Sequence, residues 1–303
     1  MAGLKELRLR ISSISSTQKI ASAMKMVAAA RLKRAQDLLQ KSKSYHQNFM
    51  QIAWRLLEEM KQDVDDGKVV YFLPPLMKEQ KTEDGKTYLL VVFSSDKGLC
   101  GSYNSNILKE TVARINSLSE SGCKVKVLAL GRKVGEAIKR RYSEIEVELV
   151  DGFAAKGADY QEVSDIVNRL GQGFGRDFDV CEVVYTAFRS AINREAVVEQ
   201  FLPFEIEQPQ EPVEILVDNA FYDYKGGKQK ILWDIVPILV TDSLFQKLLN
   251  SQTSEHGARM TSMDNATRNA NDMISKLTLK YNRLRQSAIT TELIEIISGA
   301  EAL

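Results

Sequence analysis

Leu4, Leu7, Ile11 and Ile14 step along the chain by three, four and three residues. Near the other end, Leu277, Tyr281, Leu284 and Ala288 step by four, three and four. This narrow apolar stripe is the seam of a coiled coil rather than the broad face of a helix lying on a core. Helix breakers are nearly absent from both regions. Leu4 to Asp66 holds neither Gly nor Pro, and Ile238 to Ser298 holds one Gly, Gly257, and no Pro. A helix of ~55–60 residues would run ~80–90 Å at the ordinary rise and needs a partner along most of that length. The two segments are the ends of one chain, so the pattern predicts an intramolecular, antiparallel pair whose register the sequence leaves open. Ser12, Ser13, Ser15, Ser16 and Thr17 interrupt the seam with small polar side chains of modest helix propensity.

The middle of the chain has a different period. Strand-like runs at 86–93, 123–130, 144–150, 178–188 and 195–204 are interleaved with helical stretches after 131 and at 159–170. That alternation predicts an open α/β sheet. The charged, Pro74-Pro75-containing stretch 61–85 reads as a surface connection, and "EQPQEP" as a second linker. The expected organisation is a first shaft helix over 1–60, a connection over 61–85, an α/β domain over 86–212, a foot or linker over 213–230 and a second shaft helix over 231–303. Pro237 should kink or restart that last helix.

Charge changes the picture locally. The whole chain balances 41 basic against 40 acidic side chains, yet residues 1–57 carry eleven basic and two acidic ones, a net +9. Something acidic should lie near this segment. Three scattered cysteines, Cys100, Cys123 and Cys181, suggest no disulfide framework. No apolar run reaches the roughly 18–20 residues that span a bilayer, and the first residues lack the apolar core of a signal peptide.

Candidate chemistry is sparse. "SSDKGLCGSYN" (94–104) follows a strand and precedes a helix, which admits a nucleophilic Cys100 or a phosphate cradle at a helix N-terminus. It lacks the spacing of a Walker A loop, and the only histidines, His46 and His256, lie far off in the end helices. A tight turn with a buried cysteine accounts for it more simply. No histidine or cysteine spacing fits a metal site. The basic first helix could neutralise phosphates, as a nucleic-acid-binding coiled coil would, but its charges are spread around the helix without aromatic interleaving.

Three stretches carry a family resemblance. "TQKIASAMKMVAAARLKRAQ" (17–36), "SSDKGLCGSYN" (94–104) and "ARMTSMDNATRNANDMISKLTLKYNRLRQSAITTELIEIISGA" (258–300) resemble, in order, the N-terminal, central and C-terminal motifs of the gamma subunits of F-type ATP synthases. The resemblance spans essentially the whole chain. It implies an antiparallel coiled coil of long N- and C-terminal helices plus a central Rossmann-like α/β domain. The implied role is a rotor in one copy inside a hexamer of alpha and beta subunits, with the epsilon subunit and the membrane c-ring at its foot. Rotation of the ring would drive ATP synthesis in beta. No catalytic residue, metal or cofactor, and no nucleic acid, is implied for the chain itself, which would be a non-catalytic subunit peripheral to the cytoplasmic face of the bacterial inner membrane.

The resemblance also implies contacts residue by residue. Met24 matches a methionine facing an acidic segment of beta, with Lys25 beside it where a glutamate is usual. Arg285 and Gln286 match a pair meeting a loop of beta, and Arg259, Thr290 and Glu292 fall on other polar positions of the C-terminal motif. Tyr222 and Tyr224 fall where the foot approaches the ring and epsilon. Lys225 replaces an acidic residue there, and Ser102 a second glycine of the central motif. The cysteine pair of the chloroplast redox segment has no counterpart.

Overall fold

The computed structural model describes residues 2–65, 72–79, 85–154, 157–191, 193–208 and 226–301. Helix α1 spans Ala2–Asp65. Strand β1 (Thr87–Phe93), helix α2 (Tyr103–Glu120), β2 (Lys124–Leu130), α3 (Arg132–Arg141), β3 (Glu146–Val150), α4 (Tyr160–Gly173), β4 (Val180–Phe188) and β5 (Arg194–Leu202) follow, and α5 (Lys228–Glu301) ends the chain. A short 3-10 turn, Pro75–Met77, lies in the connection. The chain divides into two compact units: residues 1–31 with 259–303, and residues 32–258.

The seam read at Leu4–Ile14 continues through α1 without a slip. Leu4, Leu7, Ile11, Ile14, Gln18, Ala21, Lys25 and Ala28 keep the three-four step in the first unit, and none is exposed. Leu32, Ala35, Leu39, Ser42, His46, Phe49, Ala53, Leu56 and Met60 keep it in the second, again with none exposed. In the second unit, His46 Nδ1 meets Asp242 Oδ2 at 2.5 Å, and Gln246 Nε2 donates to Ser42 Oγ at 2.6 Å. Four residues back along α1 correspond to four residues forward along α5, so the pairing there is antiparallel.

The second unit holds a five-stranded sheet in the order β3-β2-β1-β4-β5. Strands β3, β2, β1 and β4 are parallel, and β5 closes the edge antiparallel to β4. Alternate residues of β1 face opposite ways, as strand geometry requires. Val91 and Phe93 join a core built from α4 and the neighbouring parts of α1 and α5, including Leu56, Leu239 and Leu244. Leu90 and Val92 join a second core with Ile107 and Ile115 of α2 and Ile138 of α3. Glu182, paired in register with Leu90, is therefore buried on the α2 side. Arg114 reaches it with two hydrogen bonds, 2.7 and 2.5 Å, which supplies the partner a buried carboxylate requires.

Helix α5 passes through Pro237 and does not restart there. A proline inside a helix costs roughly 3 kcal/mol. Leu232, Val236, Leu239 and Val240, all fully buried around it, offset that cost through packing, while Pro237 itself lies on the exposed side.

Candidate functional surface: an uncovered helix pair

The enzyme-like central motif resolves into a structural turn. Cys100 is 2% exposed, and its polar neighbours are Ser95 Oγ (3.7 Å), Asn104 Nδ2 (3.2 Å) and the Lys97 carbonyl (3.9 Å). None of these is a base that could activate it. Asn104 also accepts from the Ser95 backbone N–H, so the network clamps the turn onto the start of α2. At the start of α3, where an α/β domain often holds phosphate, the Arg132 N–H donates to Asp96 Oδ1 at 3.0 Å. An internal carboxylate thus occupies the anion position. Gly131, with φ of 116°, admits this close crossing, because a Cβ there would fall 2.1 Å from the Ser94 carbonyl oxygen. Among the described residues no cluster of His, Cys, Asp and Glu could hold a metal ion.

Among its described residues, the unit of residues 1–31 and 259–303 has no core of this kind. Its buried apolar residues are Leu7, Ala21, Ala28, Met263 and Ala270, three of them alanines. On α5 the seam runs through Met260, Met263, Thr267, Ala270, Ile274, Leu277 and Tyr281, none of them exposed. The predicted seam residue Leu284 is exposed, and with it other large apolar side chains stand in the open: Leu9, Ile20, Met26 and Val27 on α1, and Met273, Leu279, Ile289, Leu293, Ile294, Ile296 and Ile297 on α5. These are twelve of the nineteen exposed large hydrophobics among the described residues, on about a quarter of the chain. Apolar exposure concentrated this strongly on one part of the chain points to an interaction surface. The same unit carries twelve basic and six acidic side chains, whereas the second unit is net acidic.

The sequence-derived contact residues fall at two levels of this pair. Met24 and Lys25 are half-buried beside and on the seam, and Arg259 is half-buried on α5. Lys25 Nζ binds Asp264 Oδ1 at 2.6 Å across the seam, and Arg268 Nη2 binds Asp264 Oδ2 at 2.6 Å. The hydrogen bond from Lys25, reinforced by the charge of Arg268, holds the Asp264 carboxyl below the usual carboxylate range against the opposing effect of desolvation. Arg285, Gln286, Thr290 and Glu292 are all exposed, about 30–40 Å further along α5 at the helical rise. There Thr290 Oγ1 donates to the Gln286 carbonyl at 2.9 Å. Counting back along α1 from Lys25 to Ala2, and equally forward along α5 from Asp264, reaches about residue 287, so α5 runs on alone for about 20 Å. Tyr222 and Tyr224, the expected foot contacts, lie outside the described residues. Sequence reasoning passed over Asp264 and Arg268. The signal was a lysine at a strict seam position, which demands an acidic neighbour, but finding it needs the register.

Two long terminal helices and a mostly parallel α/β sheet closed by one antiparallel strand define the class of fold. The family model described as ATP synthase matches residues 3–303. The chain is 40% identical over its whole length to the ATP synthase gamma chain of Paramagnetospirillum magneticum and 42% identical to that of Erythrobacter litoralis, with all of each relative covered. The protein belongs to the ATP synthase gamma chain family. Among solved structures it resembles a chain of the Tetrahymena thermophila mitochondrial ATP synthase central stalk and c-ring, with a TM-score of 0.58 and 23% identity over 82% of this chain and 99% of that one. It also resembles a chain of the Euglena gracilis mitochondrial ATP synthase, at 0.54 and 17% over 90% and 95%. These likenesses show the fold. The nucleic-acid reading of the basic helix finds no support in any of them.

Proposed function

We propose that this chain is the central rotor of an F-type ATP synthase, coupling rotation of a membrane c-ring to ATP synthesis and hydrolysis in the beta subunits. The observation that carries the reading is the uncovered helix pair. Its alanine-rich seam buries little, the pair and the stretch of α5 beyond it expose twelve large apolar side chains, and its net charge is positive. Such a surface suits a sleeve of alpha and beta subunits with an acidic lining. Coupling is then mechanical, because a shaft with unlike faces makes different contacts with each beta subunit as it turns. The chain needs no reactive group for this, and the clamped Cys100 turn and the Asp96-capped α3 agree with a non-catalytic part. No helix among the described residues is long and apolar enough to cross a membrane, which suits a peripheral place on the cytoplasmic face of the inner membrane. Epsilon and the c-ring would be met through residues 213–230, including Tyr222 and Tyr224.

Co-expression with the alpha, beta and epsilon subunits of the same complex, followed by intact mass measurement, tests this. One copy per alpha-beta hexamer is expected. A chain that never enters a hexamer with its own alpha and beta subunits would overturn it.

A further inference from the structure

Lys25 is the cation that the sequence sets beside Met24, but the structure commits its charge elsewhere. Its side chain, 44% exposed, springs from a seam position, and its ammonium is bound at 2.6 Å by Asp264 on the opposite helix. Asp264 is 21% exposed and uses its second oxygen for Arg268, one helical turn further along α5, also at 2.6 Å. One carboxylate therefore joins two cations, one oxygen to each. The cluster keeps a net single positive charge, and its most exposed member by far is Arg268, at 74%. The spacing from Asp264 to Arg268 is four residues, which brings the two side chains together on one helix face. A guanidinium pinned by one oxygen still has free N–H groups in a fixed plane.

We infer that Arg268 is the cation this level of the shaft presents to an acidic segment of the surrounding subunits, with Asp264 as its positioning residue and Lys25 holding Asp264 in place. The inference rests on the rotor reading above and deepens it. The chemistry recognised is a carboxylate-bearing peptide segment, chosen because the unit carries twice as many basic as acidic groups. Guanidinium donors fit a carboxylate two at a time, which an ammonium cannot match. Asp264 stops Arg268 from folding back over the apolar surface and stops Lys25 from standing as a bare charge in the seam.

The test uses the whole complex in membrane vesicles and reads protons pumped per ATP hydrolysed. Wild-type complex is assembled and measured first, and failure at that stage sinks the rotor reading rather than this one. Arg268→Glu should lower the ratio at least about twofold, because a like charge now faces the acidic segment, while Arg268→Lys should recover part of it. The discriminating variant is the double exchange Lys25→Glu with Asp264→Lys. It preserves a cross-helix ion pair but places a lysine four residues before Arg268, which repels it. A complex that assembles with the double exchange but couples below wild type, as Arg268→Glu does, supports the assignment. A double exchange coupling like wild type, or Arg268→Glu coupling like wild type, overturns it.

Discussion

The two compact units of this chain share the same two helices and use them in opposite ways. In residues 32–258, α1 and α5 bury Leu56, Leu57, Leu232, Leu239 and Leu244 against the sheet, and thirty buried residues form one core on that face. In residues 1–31 and 259–303, the same helices touch through a seam where Ala21, Ala28 and Ala270 do much of the packing. Burying one hydrocarbon group the size of a CH2 is worth about 0.8 kcal/mol, so each of those alanines stabilises its helices little. Twelve large apolar side chains of this unit stand exposed outside those contacts. The difference teaches that helix stability here is not a property of the helix: one stretch is anchored by its own domain, and the other reserves its apolar surface for something outside the chain.

The comparison can be broken most sharply from the core side. Leu239→Ala and Leu56→Ala each remove a fully buried side chain from the second unit, and each should cost about 2–5 kcal/mol in denaturant unfolding of the purified chain. Ala21→Gly in the seam should cost only about 1 kcal/mol, the usual helix penalty. Equal losses would show that the two units are held with equal strength. Next in size, Arg114→Ala strands the buried Glu182 carboxylate and should destabilise by about 3 kcal/mol, whereas Arg114→Ala with Glu182→Leu should recover most of that. Failure of the second change to rescue would mean that Arg114 matters through its packing on the Tyr88 ring instead.

How much of this was legible depended on whether a feature was periodic or relational. The absence of Gly and Pro, with the step from Leu4 to Ile14, predicts the long helices, and the seam indeed continues to Met60 on the same count. The strand-like run at 86–93 likewise predicts β1, and its unbroken apolar stretch Leu90–Phe93 is buried on both faces. Pro237 reads as a kink or a restart because propensity sees one residue, while the four buried neighbours that keep the helix continuous through it come from the fold. The pairing of Lys25 with Asp264 is harder still. It depends on the antiparallel offset between segments 239 residues apart, and no local pattern encodes that offset. The positive charge of the first helix was readable from composition, but the apolar residues exposed beyond the seam and the cation that stands outermost were not.

The outward apolar residues offer a smaller effect with an informative sign. Leu293→Ser with Ile297→Ser should change unfolding of the isolated chain by no more than about 0.5 kcal/mol, since both side chains are already exposed. In the assembled complex the same pair should lower the recovery of intact hexamer by mass measurement. A loss of stability in the isolated chain would mean that these side chains pack within the chain rather than against a partner.

The smallest effect separates the two units by their ion pairs. Asp264 in the helix pair is held below the usual carboxylate range by its hydrogen bond from Lys25 and the charge of Arg268, and Glu148 in the sheet unit is held low by its hydrogen bonds from Arg169. A carboxyl whose folded value lies below its unfolded one stabilises the fold above the unfolded value, ~3.9 for Asp and ~4.3 for Glu. That contribution is lost as pH falls through the lower, folded value. Both pairs are substantially solvent-exposed, so screening keeps each contribution small. Hydrogen exchange measured from pH 6 down to pH 3, corrected for intrinsic rates, should therefore show two independent losses of protection. Asp264→Asn should flatten the loss in residues 2–31 and 259–301 alone, and Glu148→Gln the loss around β3 and α4 alone. Protection in the helix pair that falls with pH just as steeply in Asp264→Asn would show that the Lys25–Asp264–Arg268 cluster contributes nothing to holding the two helices together.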